Sequence, residues 1–476
     1  MARSFPSLRI REDRLEAEGA FAEAQADYLR PDPAAVAALD ALLSDKKVGV
    51  VAHFYMDPEL QGVLAACAWP HIGISDSLLM ADRAVEQARA GCRAIVVLGV
   101  DFMSENARAM LDAAGFSAMP VYRVAAEPIG CSLAAAADGP AYQAWLEKAA
   151  RTDRALHVVY INTSLRTKAR AHATVPTITC TSSNVVQTVL SAFAEIPGVH
   201  VFFGPDTYMG HNLARLFEVL SGLGDDEIRK IHPAHDRASL AQVRERFHAF
   251  EQGHCIVHHL FGASVVDKVR KEESGSFVTA HLEVPGEMFE LALAARAEDR
   301  GVVGSTSDIL GFVSRKVKAA PDGQTLRFVL GTEAGMITSI VRDVERSLRA
   351  RPGSGVAVEI VFPVAAEAIA TTTDPGLPVV PGSAGGEGCS TAGGCATCPY
   401  MKMNSLDALL DLARRIDVGH DDLGRFHPRT YAERIGGRSL AAVGGEPILH
   451  MRGFSRTGHL PPALVLDVQE RAAQAG

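Results

Sequence analysis

The chain has 476 residues, 47% of them hydrophobic and 22% charged, with a formal net charge of -9. It is too long for one ordinary domain, and its acidic balance argues against nucleic acid as a partner. No apolar run reaches the length that spans a bilayer and the first residues lack the apolar core of a signal peptide, so a cytoplasmic enzyme without a membrane partner is expected. In that reducing compartment the eight cysteines are expected to be buried small hydrophobes or metal and catalytic thiols rather than disulfides.

Residues 1–45 hold a charged segment, from Arg9 to Glu18, and an Ala-rich helical stretch beginning near Pro33, read as a lead-in that packs on the core and offers no chemistry. From there to residue 364 short β-branched apolar runs start near Val48, Ala94, Met119, Leu156, Thr177, His200, Cys255, Phe277, Val302, Leu326 and Val356. Ala-, Leu- and Arg-rich helical segments separate them, the alternation of a parallel α/β architecture. Polar residues close many of these runs: His53-Phe54-Tyr55, Tyr160-Ile161-Asn162, Thr181-Ser182-Ser183-Asn184, His281-Leu282-Glu283, Ser305-Thr306-Ser307 and Gly331-Thr332-Glu333. Parallel sheets bind ligands beyond the carboxyl ends of their strands, and so many polar ends exceed the needs of one small sheet. The expected fold is α/β, with three α/β/α domains at residues 46–125, 126–250 and 251–370 whose strand ends converge on a central site. A Gly/Pro-rich loop follows at 371–404 and a C-terminal helix and tail at 405–476.

Cys131, Cys255 and Cys398 lie far apart in the chain. Brought together, three thiolates would hold a four-iron cluster by three corners and leave one iron open as a Lewis acid. A proline directly after Cys398 in a Gly-rich loop suits an iron-sulfur ligand, although the pair Cys395 and Cys398 alone reads equally as a redox couple, half of a zinc site or two idle thiols. Cys67 and Cys92, in Ala-rich helical surroundings, read as buried small hydrophobes. Cys389 and Cys395 are plain loop thiols, a disulfide or ligands of a second metal.

The hydroxyl-rich turns at Ser182 and at Ser305 and Thr306 stand where a strand passes into a helix, so they are helix caps or, through the exposed amides of the helix start, a phosphate cradle. His281-x-Glu283 and His53-x-Tyr55 each put two proton-moving side chains on one face of an extended segment.

Taken together and in order, these motifs resemble quinolinate synthase; Asp76-Ser77-Leu78, Gly99-Val100-Asp101-Phe102-Met103, Gly130-Cys131-Ser132-Leu133, Gly204-Pro205-Asp206 and Cys398-Pro399-Tyr400-Met401 add to the match. The resemblance implies a pseudo-threefold set of domains around one oxygen-sensitive [4Fe-4S] cluster with one iron not held by protein. It implies a transferase that condenses iminoaspartate with dihydroxyacetone phosphate to quinolinate, phosphate and water for NAD biosynthesis, its iminoaspartate supplied by L-aspartate oxidase or aspartate dehydrogenase. The cluster ligands carry over as Cys131, Cys255 and Cys398, leaving Cys180 aside. His53, Tyr55, His281 and Glu283 carry over as acid-base groups, His53, His281 and Glu283 also touching substrate. Tyr160 and Asn162 hold substrate carboxylate and hydroxyl groups, Ser77, Ser182, Ser305 and Thr306 bind carboxylate or phosphate, and Glu333 supports the site from behind.

The third block departs from the family's His-Pro-Glu-Cys by reading His281-Leu282-Glu283-Val284. Extra residues between Asn162 and Cys180, between Gly210 and Cys255, between Glu283 and Ser305 and throughout 371–390 read as surface elaborations. Two other readings stand beside this one: another three-domain, single-cluster enzyme, as in diphthamide or isoprenoid biosynthesis, and a zinc-stabilised binding protein.

Overall fold

The computed structural model describes residues 5–363, 397–416 and 421–475. The calls on Cys389 and Cys395, and on most of the loop from 371, lie outside them. Besides a short antiparallel pair at Arg434–Ile435 and Arg438–Ser439, the strands, in chain order, are β1 (Ser7–Ile10), β2 (Leu15–Glu18), β3 (Val48–His53), β4 (Ile72–Ser75), β5 (Ala94–Leu98), β6 (Val121–Tyr122), β7 (Ala155–Tyr160), β8 (Thr177–Cys180), β9 (His200–Gly204), β10 (Phe247–Ala249), β11 (Phe277–His281), β12 (Gly301–Gly304), β13 (Thr325–Gly331) and β14 (Ala357–Val361). The chain is α/β, as the alternation of its sequence implies.

By its internal contacts the chain divides into two compact units. The first comprises residues 1–100, 118–129 and 256–428 and holds two sheets. One runs β4-β3-β5-β6, parallel throughout; the other runs β12-β11-β13-β14-β1-β2, parallel except for its antiparallel edge ribbon β1-β2. The central strands β3 (VGVVAH) and β5 (AIVVL) are buried at every position, as expected of strands covered on both faces. One face of this sheet closes over Leu39, Leu43, Leu60, Val63 and Leu64 from the helices Pro33–Lys46 and Pro58–Ala66, with Leu409 and Leu412 from Leu406–Arg415.

The second unit comprises residues 101–117, 130–255 and 429–476, with a parallel sheet β10-β9-β7-β8. Helices Leu440–Thr457 and Pro462–Ala475 belong to it. His450 Nδ1 lies 3.1 Å from the carbonyl of Thr177 in β8.

Several expectations need correction. The run near Cys255 is not a strand: the described chain there turns into a short 3-10 helix, His258–Leu260. The charged segment from Arg9 to Glu18, for which no element was expected, forms most of a strand ribbon: Leu8 and Ile10 are in the core, Arg9 reaches Glu359 on β14 at 3.0 Å, and the same buried carboxylate meets Arg327 and the Ser7 hydroxyl. Strands β4 and β10 carry too short an apolar run to be read. The segment between Asn162 and Cys180 is no surface elaboration either. Parallel neighbours need a crossover, and the helix Leu165–Thr174 that joins β7 to β8 buries Leu165, Thr167, Lys168, Ala169 and Ala171. The helix Gly286–Ala297 does the same between β11 and β12, and part of the segment before Cys255 is the helix Thr207–Ser221 and strand β10.

Candidate functional site

In the first unit, two strands, β3 and β11, deliver the predicted proton-moving groups at and just beyond their carboxyl ends. His53 ends β3, and its Nδ1 accepts the backbone N–H of Tyr55 at 3.1 Å, with the two rings edge to face at 4.8 Å. His281 ends β11 and repeats the device: its Nδ1 accepts the N–H of Glu283 at 3.3 Å. Each imidazole is thereby held with its proton on Nε2, the nitrogen pointing away from its own loop. His281 Nε2 is buried with no hydrogen-bond partner among the described residues, so it is a donor awaiting a ligand. Replacing the family's proline and cysteine leaves this turn intact, since Leu282 and Val284 are buried and Val284 N–H donates to the His281 carbonyl at 3.3 Å.

Two residues that the sequence reading did not assign join this group. His258 Nδ1 lies 3.1 Å from Glu283 Oε2, and its ring stacks on His281 at 5.0 Å. Thr332, at the end of β13, places its hydroxyl 3.2 Å from the Tyr55 hydroxyl and 3.4 Å from His258 Nε2. In the sequence, His258-His259 reads as the polar end of the expected strand at Cys255 and is given no role; the three-residue spacing of His258 from that cysteine was the available signal. Gln61, fully buried, donates to the carbonyls of Phe54, Met56 and Gly335 and so fastens the β3 turn to the β13 turn.

Burial pushes His53 down to about 4, Glu283 pulling the other way. It pushes His281 down to about 3, against Glu283 and reinforced by His258 and His53. Both rings are neutral at pH 7. Because the folded values lie below the unfolded value near 6.5, the folded state binds fewer protons; the stabilisation is complete above about pH 6.5 and is lost as pH falls through the folded values. For His53 the loss is on the order of 3 kcal/mol between pH 7 and pH 4. Denaturant unfolding of the wild type should weaken over this range, and His53→Gln should flatten the slope; an unchanged slope in the variant would show that His53 titrates normally.

The segment carrying Cys398 is held from two sides. Glu333 Oε1 accepts the Cys398 N–H at 3.0 Å while Oε2 accepts that of Gly335 at 2.9 Å, and burial pushes this carboxyl well up from its ordinary value. Asn404, fully buried, accepts the N–H of Gly99 at 3.0 Å and donates to its carbonyl, anchoring the segment at the end of β5.

Of the predicted anion groups in this unit, Ser77 opens the helix Ser77–Arg89 and Thr306 opens Thr306–Ala319. Ser305 caps the latter: its hydroxyl donates to Asp308 Oδ2 at 2.7 Å and accepts the Asp308 N–H. That hydroxyl is engaged locally, which leaves the amides of the helix start as the means of holding an anion.

In the second unit, Tyr160 ends β7, opposite Cys180 in the ladder, and half-buried Asn162 follows. Ser182 is half-buried in the turn before the helix Val185–Glu195. Cys131 precedes the helix Ser132–Asp138, and the Ser132 hydroxyl donates to the carbonyl of His254 at 2.8 Å, so the backbones beside Cys131 and Cys255 run together. Cys131, Cys255 and Cys398 are partly exposed, each in a loop or at a helix start. Cys180 is fully buried and burial pushes its thiol well up, while Cys92 is pushed to about 11. The two buried thiols stay protonated, whereas loop thiols with access to solvent suit a soft metal centre.

The family model described as "NadA: Quinolinate synthetase A protein" matches residues 37–357. Among curated proteins, "Quinolinate synthase, chloroplastic" of Nicotiana tabacum is 53% identical over 487 residues, covering 99% of this chain and 68% of that protein. The protein of the same description from Arabidopsis thaliana is 53% identical over 480 residues, covering 98% of this chain and 67% of its own length. "Quinolinate synthase" of Rhodopirellula baltica is 30% identical over 266 residues, 52% of this chain and 61% of that protein. No helix among the described residues is long and apolar enough to cross a membrane.

Proposed function

Since the chain belongs to the quinolinate synthetase A family, we propose that it condenses iminoaspartate with dihydroxyacetone phosphate to quinolinate, phosphate and water, a step of NAD biosynthesis in the cytoplasm. Iminoaspartate would come from L-aspartate oxidase or aspartate dehydrogenase. The observation that carries this reading is the cluster of buried His281, Glu283 and His258 with an unpartnered imidazole nitrogen, a place built to move protons on a bound polar molecule.

Cys131, Cys255 and Cys398 would hold one [4Fe-4S] cluster, and an iron in it left without a protein ligand would supply Lewis acidity toward a substrate hydroxyl. Neutral His281 donates from Nε2, and Glu283, 3.7 Å from its Nδ1 and 3.1 Å from His258, accepts a proton that leaves substrate carbon or oxygen. The Tyr55 hydroxyl, near Thr332, and His53 serve the earlier isomerisation and carbon-carbon bond formation. Tyr160 and Asn162 hold carboxylate and hydroxyl groups. Ser77, Ser182, Ser305 and Thr306 hold phosphate and carboxylate through hydroxyls and helix-start amides.

Protein purified without oxygen should be brown, contain iron and sulfide, and make quinolinate from the two substrates. Iron-replete protein that forms none would overturn the assignment, and a colourless zinc protein would favour the binding-protein reading.

A further inference from the structure

Lys168 is 0% exposed, and the acid-base chemistry above gives it no task. It lies in the first turn of the helix Leu165–Thr174, where the amide dipoles disfavour a cation and burial disfavours any charge. Its side chain folds back beneath the preceding turn. Nζ donates to the carbonyl of Ile161 at 3.0 Å, to the hydroxyl of Thr163 at 2.9 Å and to the carbonyl of Thr163, matching three N–H donors to three oxygens. The same turn is tied internally, by Thr163 N–H to the Ile161 carbonyl at 2.7 Å and by the Thr163 hydroxyl to the Tyr160 carbonyl at 3.2 Å.

Two carboxylates complete the clamp. Glu105 accepts the N–H of Leu165 at 2.7 Å and the hydroxyl of Tyr431 at 3.0 Å; Asp138 accepts the hydroxyls of Ser164, at 2.7 Å, and Thr167. Burial pulls Lys168 down to about 7, with Glu105 and Asp138 acting against it. The ammonium has a donor for each of the three oxygens, whereas a neutral amine, with two N–H groups, would give up one of these bonds.

We propose that Lys168 is a positioning residue whose buried ammonium fixes the turn Ile161-Asn162-Thr163, setting the angle at which Tyr160 and Asn162 meet substrate. This rests on the substrate-holding role given to those two residues. Lys168 itself does not touch substrate, since no part of it reaches the surface. Its effect therefore passes through Asn162 and Tyr160 and should be absent when they are.

The test is a double-mutant cycle on the cluster-loaded enzyme, with iron content and unfolding midpoint measured for every variant. Lys168→Met should raise KM for one substrate by about tenfold or more with a smaller change in kcat, and Asn162→Ala should do likewise. The double variant should be no worse than about threefold beyond Asn162→Ala alone, because the two substitutions remove one interaction. If the two effects multiply in full, Lys168 acts on general stability and the inference falls. If Asn162→Ala and Tyr160→Phe leave KM unchanged, the substrate-holding role falls first and this inference with it. If those two raise KM while Lys168→Met does not, only the role of Lys168 is lost. Should Lys168→Met fail to fold, Thr163→Val, which removes one of the three acceptors, replaces it in the cycle: a rise in KM that vanishes in the Asn162→Ala background supports the clamp, and an unchanged KM overturns it.

Discussion

Cys131→Ala, Cys255→Ala and Cys398→Ala proteins, purified without oxygen, will each lose iron and at least about 100-fold in activity, whereas Cys180→Ala, Cys389→Ala and Cys395→Ala will keep both. For the described thiols the contrast follows from where they lie. Cys180 is sealed at the end of β8, where a thiolate would have neither water nor a counter-charge, and burial keeps its proton on. Cys131 and Cys255 are partly exposed on backbones joined by the Ser132 hydroxyl, and Cys398 is partly exposed on a segment held by Glu333 and Asn404. Iron and sulfide analysis with the visible spectrum reads the result directly. A Cys255→Ala protein with a full cluster would remove that residue from the ligand set, and loss of iron in Cys180→Ala would bring it in. Air should inactivate the wild type, because an iron without a protein ligand is the one most exposed to oxidants.

Glu283→Gln will retain its iron, still consume dihydroxyacetone phosphate with release of phosphate, and lose about 10²- to 10⁴-fold in quinolinate formation, the range for removal of a positioned acid-base group. The amide keeps the shape and the backbone N–H that holds His281 Nδ1, but it accepts no proton. Glu283 is 3% exposed and flanked by His258 and His281, so water is poorly placed to take over its work. Quenched samples assayed for phosphate and quinolinate separate the steps. If the variant releases no phosphate, Glu283 belongs to isomerisation or carbon-carbon bond formation, and the division of labour between it and the His53–Tyr55 pair is wrong.

Both experiments rest on residues that a short motif makes visible. A His-x-Glu or His-x-Tyr spacing at the end of an apolar run fixes which face the side chains share, and the i+2 amide that locks each imidazole is a local consequence of that turn. For the same reason the starts of β3, β5, β8, β9 and β11 can be read from the sequence: these strands are buried at nearly every position and are dominated by apolar and β-branched residues. Their α/β class follows from the helices between them.

What only the tertiary structure decided is chemistry whose partners are distant in the chain. The ribbon β1-β2 is rich in charges, and it joins the sheet through partners distant in the chain: Leu8 and Ile10 enter the core while Glu359, some 350 residues on, pairs with Arg9. His258 looks like one histidine among many until a 3-10 turn, in place of the expected strand, sets it against Glu283 and Thr332. Lys168 reads as a solvated residue on a polar helix and is the most deeply buried charge near Asn162, because a crossover helix must turn one face to the sheet and its first turn lies over the end of β7. Periodicity reports how a segment meets its own neighbours; which distant carboxylate, carbonyl or thiol it meets is set by the order of strands in the sheet, and that order is not written in any one segment.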